Sequence, residues 1–253
     1  MNFYYSCPQC FQDDGHPLKS FFDSYISDDD ISEHICPRGH KFLIMSRNDK
    51  YRILFDIAVM QLQDGYYNNS ILNSYTALEE FMKSFIKFSL YVSGSSVECI
   101  LNVCKLIKRS ENKKGAFILN FFQEFSEMID TKKLEKFSSI RNSIIHDGEF
   151  VNHDKAYEYC EEMYVFISDI LLRICSKYSE MDYINMDMAF QKYYLEKHQS
   201  VSNGSTYEIP SILCRFGIKN EISFEDQYEN FKKTKLYSYN NPLKVIENND
   251  KWL

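Results

Sequence analysis

Glycine and proline are scarce in this chain, with 8 Gly and 5 Pro among 253 residues. That is too few turn formers for a sandwich of many short strands, and far from a collagen-like composition. Long hydrophobic runs are also missing: no window reaches the roughly 18 uninterrupted apolar residues of a membrane span. Met1 to Cys10 shows no basic stretch followed by an apolar one, so no signal peptide is expected. Positive charge is in deficit, with 29 Lys and Arg against 36 Asp and Glu, a net charge of −7. Such a surface repels a polyanion on average, and any nucleic-acid contact must use a local basic patch. No Walker loop, GxGxxG or HExxH pattern occurs, which removes support for NTPase, dinucleotide oxidoreductase and zincin chemistry. Aromatic residues are abundant by contrast, with 20 Phe and 19 Tyr, and argue against extended disorder. The expectation is a mainly α, soluble, cytoplasmic protein.

Eight cysteines are present: Cys7, Cys10, Cys36, Cys99, Cys104, Cys160, Cys175 and Cys214. In a reducing cytosol, close pairs suggest metal binding rather than disulfides. Cys7-Pro8-Gln9-Cys10 and Cys36-Pro37-Arg38-Gly39-His40 read as two short turns, each presenting two ligands to one ion. Zinc takes four such ligands in a tetrahedron. A proline stiffens each turn after its first cysteine, and Gly39 permits a tight backbone. His34 and His16 are alternative fourth ligands. Residues 1–45 resemble a zinc ribbon, with His40 in the place of the more frequent fourth cysteine. Four closed protein ligands imply a structural rather than catalytic ion. Leu18–Tyr25 and Phe42–Met45 are expected to form strands of a small hairpin. Cys99, Cys104, Cys160 and Cys175 read as core packing.

From about 48 to 178 the apolar spacing becomes helical. Ile71, Tyr75, Leu78, Met82 and Phe85 recur at steps of four and three, which puts them on one face. Helices are predicted near 48–63, 67–92, 96–109, 116–129, 131–146 and 153–178. Ser110–Gly115 is expected to be a loop, and Asp147-Gly148 a helix stop. The predicted architecture is an antiparallel helical bundle over 48–178, preceded by the ribbon-like segment 1–45. A mixed α/β appendage is expected over 180–253, with a strand or two in Tyr207–Ile218.

The helix predicted over 131–146 carries an anomaly. At about 100° per residue, Arg141 falls within the apolar arc of Leu134, Phe137, Ile140, Ile144 and Ile145. Asn142 and His146, four residues apart, lie at its margin. A guanidinium cannot shed its charge, so burial requires an anion or many acceptors. One account pairs Arg141 with Glu79 or Glu80. The run Arg141-Asn142-Ser143-Ile144-Ile145-His146 resembles the Arg-polar-x3-His signature of HEPN ribonuclease domains. The upstream turn Asp64-Gly65-Tyr66-Tyr67, leading into Ser74-Tyr75-Thr76-Ala77-Leu78-Glu79, looks like the start of that family's second helix. The resemblance covers roughly residues 48–178.

The resemblance implies a homodimer with two motifs facing each other across a cleft. It also implies metal-independent endoribonuclease activity, by 2′-hydroxyl attack, leaving 2′,3′-cyclic phosphate and 5′-hydroxyl ends. Arg141, Asn142 and His146 would be catalytic, with His146 moving the proton and Arg141 stabilising phosphate charge. HEPN domains recur in toxins and antiviral effectors, which adds an antitoxin or defence-system partner to the expectation. Lys105, Lys108, Arg109, Lys113 and Lys114 are candidate RNA-binding residues, and Lys132, Lys133 and Lys136 follow on the next helix. Two other classes remain open. One is a catalytically inactive HEPN-like module that binds nucleotide or protein, and the other is a zinc-ribbon adaptor.

Overall fold

The computed structural model describes residues 3–15, 21–24, 31–46, 49–197, 204–207, 211–213 and 223–238. In chain order the elements are β1 (Phe3–Ser6), α1 (Pro8–Asp14), β2 (Phe21–Ser24), β3 (Ile31–Ile35) and β4 (Lys41–Ser46). The helices α2 (Lys50–Gln63), α3 (Tyr67–Val92), α4 (Val97–Leu106), α5 (Ser110–Phe125), α6 (Thr131–His146), α7 (His153–Lys177) and α8 (Glu180–Lys197) come next, then β5 (Gly204–Tyr207) and α9 (Phe224–Ser238). The fold is mainly helical, as the scarcity of glycine and proline implies. By contact the chain groups into two units, one of residues 1–48, 187–210 and 230–253, the other of 49–186 and 211–229.

In the first unit, β1 pairs antiparallel with β2, and β3 with β4. The expected strand Phe42–Met45 lies within β4, and residues 21–24 of the expected strand Leu18–Tyr25 form β2; residues 18–20 and 25 lie outside the described residues. Aromatic edges fill the space between the pairs, with Phe22 set against Phe42 at 5.7 Å and Tyr5 against His34 at 5.2 Å. The structure corrects one sequence expectation here. The first cysteine pair is not a bare turn, because Cys7 caps a helix that starts at Pro8 and carries Cys10. Proline suits the first helical position, where its missing N–H costs nothing. At the far end of the chain a strand covers 204–207, includes Tyr207 of the expected region and runs parallel to β4. Of the expected strand region Tyr207–Ile218, residues 208–210 and 214–218 lie outside the described residues.

In the second unit, α3 is the central element and packs against α2, α4, α5, α6 and α7. Its predicted stripe of Ile71, Tyr75, Leu78, Met82 and Phe85 is buried. Phenylalanines interlock across it, with Phe85 edge-on to Phe117 at 5.2 Å and Phe88 stacked on Tyr183 at 3.9 Å. Such pairs add roughly 0.5–1.5 kcal/mol each beyond their burial. Helix starts are fixed by side-chain caps: Ser96 accepts from the Cys99 amide, Asp130 from Lys133 and Asn152 from Lys155. Each such cap is worth about 1 kcal/mol. The α6 stop falls where the sequence put it. Gly148 takes φ 69° and the Glu149 amide turns back to the Ser143 carbonyl at 3.2 Å.

The expected loop Ser110–Gly115 is instead the first part of α5. Its polar residues decorate a helix, and one of them, Lys113, is buried. The Lys113 ammonium lies 3.5 Å from Glu79 and 3.9 Å from Glu80. Cys160 packs in the core against the Ser70 and Ser74 hydroxyls, while Cys99 is exposed and Cys104 and Cys175 are half-buried. Core packing therefore does not describe Cys99. Cys214 lies outside the described residues.

Where α5 and α7 end together, Glu124 accepts from Ser89 at 2.7 Å, Lys177 at 2.8 Å and Tyr178 at 2.6 Å. Burial alone would raise this carboxyl, but the bonds from Lys177, Tyr178 and Ser89 hold it below its usual value. A depressed carboxyl stabilises the fold above its unfolded-state pKa of about 4.3 and loses that contribution as pH falls through the folded value. Glu124→Gln should therefore cost about 1–2 kcal/mol at neutral pH and flatten the acid limb of stability. Urea midpoints measured from neutral pH to below about pH 4 check this; an acid limb as steep as the wild type's would refute it.

Candidate metal centre and polar patch on helix six

Cys7, Cys10, Cys36 and His40 converge in the first unit, with all four ligand atoms within 4.8 Å of one another. The Cys10 and Cys36 sulfurs are 3.7 Å apart, and His40 Nδ1 lies 3.7, 3.3 and 3.6 Å from Cys7, Cys10 and Cys36. A tetrahedral zinc, at about 2.3 Å from sulfur and about 2.0–2.1 Å from nitrogen, requires ligand edges of about 3.5–3.8 Å. The observed edges fit a single ion of that size. The donor set also suits it, since three sulfurs and one imidazole favour a borderline-soft cation.

Local structure explains the convergence. The Cys10 amide points at Cys7 Sγ from 3.5 Å. In the second knuckle, Gly39 at φ 86° lets its amide reach the Cys36 carbonyl at 2.8 Å, while the Cys36 amide bonds His40 at 3.1 Å. Arg38 then reaches across to Asp14 at the end of α1, at 2.7 Å, and ties one knuckle to the other. The three cysteines are buried and His40 is half-exposed, with its Nε2 turned toward Asp13 at 4.0 Å. Burial and the adjacent Cys7 and Cys36 thiols push the Cys10 thiol up to about 12. Burial works the same way on Cys36, but backbone N–H donors of His40 and Arg38 outweigh it and hold that thiol below its usual value. The Cys10 sulfur thus resists becoming a thiolate until a cation compensates its charge.

His34, an alternative fourth ligand, is elsewhere. It is buried between Tyr5 and Phe42 and hydrogen-bonds Ser32 at 2.7 Å, and burial pushes it below its usual pKa. His16 lies outside the described residues.

The second polar cluster is on α6. Leu134, Phe137 and Ile144 are buried, whereas Arg141 is half-buried, and Asn142, Ile145 and His146 are exposed. Arg141 does not meet Glu79 or Glu80, which Lys113 occupies instead. Its guanidinium lies over the Tyr75 ring, 5.6 Å from the centroid, and donates to Asn142 Oδ1 at 2.9 Å. Burial raises the neighbouring Tyr159 phenol well above its usual range, and the Arg141 charge opposes that rise. Five residues along a helix amount to about 140° of rotation, so Arg141 and His146 do not share one face of a single chain. Beside His146, Phe150 is 93% exposed on a loop anchored at both flanks: Asn68 donates to the Glu149 carbonyl and accepts from the Val151 amide.

The expected basic track is partly dismantled. Lys105, Lys108 and Arg109 are exposed and Lys114 is half-buried, but Lys113 is buried against its two glutamates. Lys136 is taken up by Glu162 at 2.7 Å. Sequence reasoning had no means of finding Tyr75 as the support of Arg141, because its step in the apolar stripe reads as core alone.

No protein-family model matches the sequence, and no curated protein or solved structure matches it either. Among the described residues, no helix is long and apolar enough to cross a membrane.

Proposed function

We propose that this protein is a metal-independent endoribonuclease of the HEPN type, whose helices α2–α7 form the bundle and whose N-terminal ribbon is held by a structural zinc. The observation that carries the reading is Arg141. It is half-buried, gives one N–H to Asn142, rests on an aromatic face and has no carboxylate partner among the described residues. A guanidinium in that state has donors to spare for an anion. His146, one turn and a half further along, is exposed and can exchange protons with a substrate. In the proposed reaction the 2′-hydroxyl of RNA attacks the adjacent phosphorus and expels the 5′-oxygen of the next nucleotide. His146 moves the proton and Arg141 meets the charge on the phosphate oxygens. The ribbon ion has four protein ligands and no open position, so it takes no part. A nuclease assay with EDTA present, comparing wild type with His146→Ala, tests the reading.

The 140° separation favours a composite site, with Arg141 of one protomer serving beside His146 of its partner. Exposed Ile145 within the motif and Phe150 beyond it supply apolar surface for such a contact. The expected outcome is a dimer by light scattering at micromolar concentration, which Phe150→Asp shifts toward monomer with a parallel loss of activity. A monomeric wild type with full activity would sink the composite site. A cytosolic setting and a toxin or antiviral role, with an antitoxin or defence-system partner, complete the proposal by analogy with HEPN domains in general.

A further inference from the structure

Three helices meet at Tyr75. The Ser138 hydroxyl donates to the Leu134 carbonyl at 2.9 Å, which leaves its oxygen to accept from the Tyr75 hydroxyl at 3.0 Å. The Tyr75 oxygen in turn faces the Ser110 hydroxyl at 3.4 Å. Each hydroxyl has one proton, so the order is fixed: Ser110 donates to Tyr75, Tyr75 to Ser138, Ser138 to the α6 backbone. This relay pins the phenol of α3 between the start of α5 and the middle of α6. Arg141 lies over this fixed ring, 5.6 Å from its centroid, and the N–H groups beyond the one given to Asn142 remain available for an anion.

The same relay brings a second arginine into the neighbourhood. Arg109 precedes Ser110 directly and is exposed, as is Lys108 before it. Among the described residues, Arg38 and Arg173 each pair with carboxylates and Arg52 donates to the Leu213 carbonyl. Arg109 and Arg141 pair with none. Two acids near Tyr75 in sequence are already engaged, since Lys113 pairs with Glu79, one turn beyond Tyr75, and with Glu80. Glu111 is the exposed acid left in the segment.

We propose that Arg109 and Arg141, linked through Tyr75, hold neighbouring phosphates of one nucleic-acid strand, and that Tyr75 is the positioning residue that fixes the Arg141 guanidinium. The proposal rests on the ribonuclease reading and extends it: the strand enters over residues 108–110 and meets the motif at Arg141. Guanidinium edges suit phosphate oxygens, with two parallel N–H donors to each phosphate.

The probe is a short all-2′-deoxy single strand, which lacks the nucleophile and stays intact in the proposed reaction. Its binding is followed by fluorescence anisotropy against salt concentration. Each phosphate contact on a single strand contributes about 0.7 to the slope of log K against log[salt]. Arg109→Ala and Arg141→Ala should each reduce the slope by about 0.7, and the double variant by about 1.4. Lys192→Ala, on α8 and outside the proposed track, should leave it unchanged. Tyr75→Leu should weaken binding with no change of charge, and Tyr75→Phe, which keeps the ring, should retain most of it. Melting temperatures near wild type establish that each variant is folded. A folded Arg109→Ala with the wild-type slope overturns the proposal and leaves the ribonuclease reading standing. An RNA strand held with both slope changes but never cut defeats the ribonuclease reading and leaves this phosphate track in place. No binding of the deoxy strand at any salt concentration overturns the proposal as well.

Discussion

Purified protein is expected to contain one zinc per chain, and losing it should unfold the N-terminal ribbon while the helices α2–α7 persist. The reason is the scale of the terms. Structural zinc contributes an apparent 10–16 kcal/mol or so in small finger peptides at neutral pH. The ribbon's own apolar core is slight by comparison: a cluster of Ile31 and Leu43 with Tyr194 against it, plus the Tyr5, Phe22 and Phe42 rings. Cys36→Ala removes one ligand and should abolish stoichiometric zinc in elemental analysis. The loss of signal should be confined to the ribbon in amide hydrogen exchange. The pH dependence follows from proton competition. With no cation present the Cys10 thiol is pushed up to about 12, so at neutral pH an incoming ion must displace its proton. Zinc affinity should therefore rise with pH and fall in acid. Elemental analysis that finds no transition metal in protein purified without chelator would refute the site, and retention of full zinc by Cys36→Ala would refute its ligand set.

The candidate metal ligands were legible in the sequence because cysteine and histidine ligands with only two or three residues between them have few other reasons to be so close. What the spacing did not reveal was that Cys10 stands on a helix. A C-x2-C turn and the first turn of a helix place their ends at similar distances, and only the cap geometry of Cys7 and Pro8 separates them. The helical region was legible where apolar periodicity and caps agree. The bounds of α3 and α6 fall at 67–92 and 131–146 as read, because Gly65, Gly94 and Gly148 take positive φ just outside their ends. At α5 the two signals disagreed. Ser110 to Gly115 is polar and contains a glycine, which reads as loop, yet Lys113 gains two half-buried carboxylates when the helix begins early. That gain depends on Glu79 and Glu80, more than thirty residues upstream, and no local pattern encodes it. The parallel pairing of β5 with β4 has the same character, since it joins residues about 160 positions apart. Arg141 shows both sides. Its place in an apolar arc flagged it correctly as unusual, but the partner suggested by charge was a glutamate and the partner found is a tyrosine ring.

His146→Ala and Arg141→Ala should each abolish most RNA cleavage without unfolding the protein. Loss of a general acid/base costs about 10²- to 10⁴-fold, and loss of an oxyanion-type donor about 10²- to 10³-fold. Stability should hardly change at position 146, because the imidazole is exposed and makes no hydrogen bond among the described residues. Arg141→Ala gives up a ring contact and one bond to Asn142, so a small loss, about 1 kcal/mol, is expected. Asn142→Ala tests whether the amide orients the guanidinium, and should act in the same direction with a smaller effect. Chelators should leave the cleavage step intact over times short compared with zinc loss, because the nucleophile and the proton carrier are both organic. Products should end in cyclic phosphate and 5′-hydroxyl, and an all-deoxy strand should survive. If two chains build each site, mixing inactive Arg141→Ala with inactive His146→Ala should restore partial activity, since some heterodimers carry one intact pair. A Mg²⁺-dependent activity that leaves 5′-phosphates would rule the mechanism out, and full activity in His146→Ala would move the protein to the class of binding modules.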